Sequence, residues 1–175
     1  MSSHREILSD ILVDHQEAPL IFNTPDACLK ILGMMWDPRT DSFRFQSSPF
    51  TGAVTKRTVL SYIARIYDPM GFLSPITFSM KWFLQQLWLL KINWDEELDL
   101  NFKTTWLEFC SELCHLSSIH ISRFIGPYNN DTVIIGFSDD SERGYSSTLY
   151  LYTVSNDLSH TSLLASKTKV APPNH

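Results

Sequence analysis

The carboxylates Asp139, Asp140 and Glu142 follow an apolar run, Val133–Phe137. An acid at the end of a strand can project past the sheet and offer oxygen to a hard cation. Asp139 is the first candidate. Residue type alone favours the plainer reading of an acid that merely ends a strand, and Glu142 reads as surface charge. Lys56, Arg57 and Arg65 form a second group. On one side of a helix they could meet phosphates without reading base sequence, although such a trio taken alone is more often a solvated face. Cys110, Cys114 and His115 hint at metal, but a fourth ligand is missing. Both cysteines fall on the apolar side of a predicted helix and read as core residues. Trp82, Trp88, Trp94 and Trp106 could stack bases, yet they occupy apolar helical stretches at core spacing and read as packing. The six histidines pair with no serine or cysteine in a recognisable arrangement.

The elements that must carry these residues follow from periodicity. Residues 3–14 form a short amphipathic stretch with Ile7, Leu8, Ile11 and Leu12 at helical spacing. Leu29–Trp36 reads as a buried strand, and Phe43 and Phe45 as a second, joined by the turn residues Asp37-Pro38-Arg39-Thr40-Asp41. Thr55 is the expected N-cap of a helix whose inner face is Val59, Leu60, Ile63, Ala64 and Tyr67, ended by Asp68-Pro69. A second helix over about 76–91, apolar nearly all round, must be buried or packed on a partner. Asp95 is the expected cap of a third over about 96–115. Beyond Pro127 the period changes to two, and Thr132–Ser138, Tyr145–Val154 and Ser162–Val170 read as an antiparallel meander. The fold class is therefore α+β.

Composition narrows the function classes. A chain of 175 residues with 43% hydrophobic and 13% aromatic content is globular. No apolar run is long enough to span a bilayer and no signal peptide opens the sequence, so an intracellular, soluble protein with no membrane partner is expected. Three cysteines without scaffold spacing make disulfides an unfavoured reading. The net charge of −5 argues against a dedicated nucleic-acid binder, but it is uneven. Five cations against Asp68 give Val54–Lys91 a net +4, whereas ten acids against Lys103 and Arg123 give Ile92–Glu142 a net −8. That division suggests two functional zones.

Several local phrases, in order, resemble the Pol polyprotein of BEL/Pao-type retrotransposons. Ile31-Leu32-Gly33-Met34-Met35-Trp36-Asp37-Pro38, then Asp41, Phe43 and Phe45, is similar to the run near the end of that family's reverse transcriptase palm. Thr55-Lys56-Arg57, Leu60-Ser61, Ala64-Arg65 and Asp68-Pro69-Met70-Gly71 resemble its thumb segment, continued by Lys81, Gln85, Leu87, Trp88 and Trp94-Asp95-Glu96. Gly136-Phe137-Ser138-Asp139-Asp140-Ser141-Glu142, then Tyr145, is similar to the opening strand of its RNase H. Leu163 to Pro172 resembles the third strand.

The resemblance implies a palm end over 1–54, a helical thumb and connection of three helices over 55–118, and a partial three-stranded antiparallel RNase H-like sheet over 119–175. It implies that Asp139 is a catalytic, metal-ligating carboxylate for Mg2+ or Mn2+ in the complete parent enzyme, and that Lys56, Arg57 and Arg65 touch nucleic acid. RNA/DNA hybrid, held weakly, and the rest of the polyprotein are the implied partners. Asp140 departs from the family, which has alanine there. RNase H chemistry needs several carboxylates around two metals about 3.5–4 Å apart, and the others would follow His175. The isolated chain is thus expected to bind no metal tightly and to turn over nothing. No Tyr-x-Asp-Asp occurs, and no Asp-Thr-Gly or Asp-Ser-Gly supports the peptidase label this region sometimes carries. The alternative is a domesticated, non-catalytic module that binds protein or nucleic acid through an uncovered third strand or the apolar second helix.

Overall fold

The computed structural model describes residues 29–31, 34–155 and 158–173. The amphipathic stretch over 3–14 lies outside them. The first sheet is antiparallel throughout, in the order β1 (Leu29–Ile31), β2 (Met34–Asp37), β3 (Ser42–Arg44), β4 (His120–Ser122). The single strand expected over Leu29–Trp36 is thus two short strands that pair with each other. β2 and β3 form the expected hairpin, with Asp41 at φ 47 in the left-handed region that Asp tolerates. Asp41 fastens the last strand: it accepts from Trp36 Nε1 at 2.9 Å and from Arg123 Nε at 2.6 Å, and the Arg123 guanidinium lies over the Trp36 ring. Buried Asp37 accepts from the Arg39 amide and the Arg44 guanidinium, which hold its carboxyl below the usual range.

Helix α1 (Lys56–Ile63) starts where Thr55 predicts, and Thr58 completes a reciprocal capping box. Asp68 then accepts from the Phe72 and Leu73 amides at 2.8 and 2.9 Å, shaping the turn into α2 (Ser74–Leu89). Helix α3 (Leu100–Glu112) is capped by Asp99, which accepts from the Asn101 and Phe102 amides. The expected cap, Asp95, is instead paired with Arg57. These helices close around Trp106, which is fully buried and in aromatic contact with Phe50, Tyr62, Phe83 and Phe109. Val59, Met80, Leu87, Leu98, Leu113 and Leu116 complete this core.

The second sheet is an antiparallel meander, β5 (Val133–Ser141), β6 (Gly144–Ser155) and β7 (Leu158–Val170). Three contacts hold it on α2. The Ser166 amide donates to Met70 O at 2.8 Å, Gln85 Nε2 donates to Ala171 O at 2.6 Å, and the Arg143 guanidinium lies 5.0 Å from the Trp82 ring centre. The first requires Gly71: its φ is +74, and a Cβ there would stand 1.7 Å from Ser166 O. Gly144, in the β5–β6 turn, leaves room for Phe78 in the same way.

Candidate metal and nucleic-acid site

Successive side chains of a strand point to opposite faces. Asp139 and Asp140 therefore separate. Cross-strand register puts Asp139, Ser146 and Thr168 in one row and Phe137, Thr148 and Ser166 in the next. That face meets the N-terminal turn of α2, where Ser74 and Phe78 help enclose a cleft of about 300 Å³. Asp139 and Asp140 both reach its rim, among hydroxyls: Thr148 and Ser166 bond each other at 3.1 Å, and Thr168 Oγ1 is buried without a partner. Asp140 belongs to the opposite face, in a row with Tyr145 and Lys169 beside the row of Ser138, Ser147 and Lys167. Both aspartates are exposed, and among the described residues neither makes an ion pair.

A hard divalent ion takes its ligands from oxygen, preferably charged. Asp139, with the Ser146 and Thr168 hydroxyls in its row, fits as one ligand. It does not fit as a two-metal site, and the described residues contain no group of three or more His, Cys, Asp or Glu able to hold a metal. The Cys110–Cys114–His115 group does not assemble either. Cys110 is half-buried, and burial pushes its thiol up to about 11. Cys114 is exposed, contrary to the expectation of a core residue, because the chain leaves α3 for a 3-10 turn at Leu113–Ser118 and rotates that side chain outward.

The three cations do not act as a set. Lys56 is buried, and its ammonium donates to Leu90 O at 2.6 Å and Ile92 O at 3.0 Å just past the C-terminus of α2. Its geometry is that of a helix-end anchor. Arg57 is exposed but gives two bonds to Asp95, at 2.6 and 3.0 Å; the pairing raises the guanidinium pKa and lowers that of the carboxyl. Arg65 is exposed and, among the described residues, has no acidic partner. It lies between two depressions, one shared with Arg44 and Tyr67 and one with Phe50 and Arg57. None of the three lines the Asp139 cleft. Sequence reasoning gave no role to Lys167 and Lys169, whose spacing of two already placed them on a common face. It also took Trp88 and Trp94 for core; they are 59% and 41% exposed, in edge contact at 5.5 Å.

The arrangement is α+β, with a meander sheet seated on a helical layer and a free carboxylate near the end of its first strand. Residues 55–175, well over half of the chain, match the model of the Pao retrotransposon-like RNaseH-like domain. The chain belongs to that family of retrotransposon domains. The matched span takes in both the helices from α1 onward and the whole second sheet. No curated protein matches the chain, and neither does any solved structure. No helix among the described residues is long and apolar enough to cross a membrane.

Proposed function

We propose that this chain is the part of a retrotransposon Pol polyprotein that begins the RNase H-like domain and lies against an RNA/DNA hybrid. In the complete parent enzyme Asp139 supplies one carboxylate to a Mg2+ or Mn2+ ion, and the remaining ligands come from other segments. The observation that carries this reading is the placement of Asp139. It is an exposed acid near the end of an apolar strand, at a hydroxyl-lined cleft, within a domain matched as RNase H-like. Contact with the hybrid backbone falls to Arg65 and to Lys167 and Lys169 on β7; Lys56 serves the fold, and Arg57 is shared with Asp95.

The chain alone does not turn over. The test is a hybrid-cleavage and binding assay with Mg2+ or Mn2+ present. Binding should be weak and steeply salt-dependent, and Arg65→Ala should lower the salt slope by about 1. Paramagnetic broadening by Mn2+ should centre on the Asp139 row, vanish in Asp139→Asn and persist in Asp140→Asn. Hybrid cleavage by the wild-type chain that is lost in Asp139→Asn would refute the claim of inactivity. Broadening centred on Asp140, or salt-independent binding, would refute the assignment of the site.

A further inference from the structure

Two neighbouring rows of the second sheet carry the same chemistry and end differently. Strands β6 and β7 set Thr148 against Ser166 and, two residues along, Ser146 against Thr168. Positions two apart on a strand share a face and the same kind of pairing. Thr148 and Ser166 close on each other at 3.1 Å. Ser146 and Thr168 do not. Thr168 Oγ1 is buried with no partner, and the half-buried Ser146 makes no side-chain hydrogen bond among the described residues. Both stand in the row of Asp139 and line its cleft. Nor is β7 the uncovered strand expected from the sequence: its Ser166 amide donates to Met70 O, which fixes the strand two residues from Thr168.

A buried hydroxyl without a partner costs free energy and calls for an account. Packing supplies none, since valine has nearly the same shape and would leave nothing unpaired. Whatever repays the cost enters from the cleft. A small hard cation held by one or two carboxylates keeps several of its waters, and their protons need acceptors. A hydroxyl offers two lone pairs for that purpose. The cleft of about 300 Å³ has room for such a shell at about 30 Å³ per water. Strands lie about 4.8 Å apart, so Ser146 stands one strand from Asp139 and Thr168 two.

We propose that Ser146 and Thr168 are positioning residues for the cation that Asp139 ligates, their hydroxyls accepting hydrogen bonds from its bound waters. Ser146 accepts directly, and Thr168 does so after χ1 turns from one staggered well to another and brings Oγ1 to the cleft. The inference rests on the reading of Asp139 as a metal ligand. It does not depend on which segments complete the ligand set, because the carboxylate and both hydroxyls belong to this sheet.

The experiment titrates the whole chain with Mg2+ and with Mn2+. Mg2+ should move the methyl resonance of Thr168. Thr168→Val should weaken Mn2+ affinity, read from broadening of the Asp139 row, by about tenfold, while the melting temperature holds or rises. Thr168→Ser should restore the affinity. Ser146→Ala should weaken it by a similar factor, and Thr148→Val, in the closed row, should leave it as it is. Wild-type affinity in both Thr168→Val and Ser146→Ala, with binding lost in Asp139→Asn, would overturn this inference alone. A lowered melting temperature in Thr168→Val with unchanged Mn2+ affinity would overturn it too, by making the hydroxyl a structural donor. Mn2+ broadening that survives Asp139→Asn, or none in the wild-type chain, would overturn the metal reading and the positioning role together.

Discussion

Replacing Lys56 with methionine separates a fold-supporting lysine from a phosphate-binding one. Methionine keeps most of the apolar stem in its buried channel and deletes the ammonium, which donates at 2.6 and 3.0 Å to Leu90 O and Ile92 O. Hydrogen bonds from a charged donor contribute about 1.5–3 kcal/mol each. Leu90 and Ile92 are only partly buried, so water recovers some of that loss. A net destabilisation of about 2 kcal/mol follows, and at about 2–4 °C per kcal/mol for a chain of this size the melting temperature should fall by about 4–8 °C. Lys56→Arg should not rescue it, because a planar fork does not fit between two carbonyls placed for a compact ammonium. Hybrid affinity provides the second readout. With the ammonium fixed on protein carbonyls, the salt slope of binding should be unchanged per folded molecule. An unchanged melting temperature together with a slope reduced by about 1 would show that Lys56 reaches phosphate, and the anchoring argument would be wrong.

Three further outcomes follow from the same geometry. Asp37 is held below its ordinary 3.8 chiefly by the Arg39 amide, with Arg44 adding charge. A depressed carboxyl stabilises the fold above its unfolded value, so stability should fall as pH drops below about 3.8 toward the native value; Asp37→Asn, followed by melting between neutral and acid pH, should flatten that acid limb. With its thiol raised from 9.0 to about 11, Cys110 carries a thiolate fraction about a hundredfold below that of an ordinary cysteine. Mass-mapped alkylation at mildly alkaline pH should therefore modify exposed Cys114 well before it. Gly71→Ala should break the Met70–Ser166 bond, since the new Cβ has nowhere to go at 1.7 Å from Ser166 O; hydrogen exchange should then speed up at Ser166 while the Trp106 core stays protected.

Local chemistry made some of this legible and tertiary choice hid the rest. Thr55 was readable as a cap because the capping pattern is local, and the meander was readable because period-two runs separated by turn residues have few other solutions. The start of α3 was not. Asp95, Glu96, Glu97 and Asp99 all lie within one turn's reach of it, and local pattern cannot choose among them. The choice is made by residues far away in sequence: Thr55 bridges to Glu97, and the Leu98 amide donates to Val54 O at 2.9 Å, keeping 97 and 98 out of the helix until Asp99 can cap. Trp88 and Trp94 misled for a related reason. Helical spacing identifies an apolar stripe but not whether anything covers it.

The charge blocks show the same limit in electrostatic form. As sequence, a segment of net +4 followed by one of net −8 suggests a basic arm and a separate acidic region. As structure, a single ion pair joins the two, Arg57 with Asp95, and within the acidic block Lys103 takes Glu97. Arg123 is drawn off to Asp41 of the first sheet, and Lys56 is consumed by carbonyls. The acids left without partners among the described residues include those that bracket β5, whereas Lys167 and Lys169 stand two strands away on the face of Asp140. Adjacent acids at 139 and 140 thus fall in different rows, Asp139 with the hydroxyls of Ser146 and Thr168 and Asp140 with Tyr145 and Lys169. That difference arises from strand alternation and pairing register, which no linear count of charge contains.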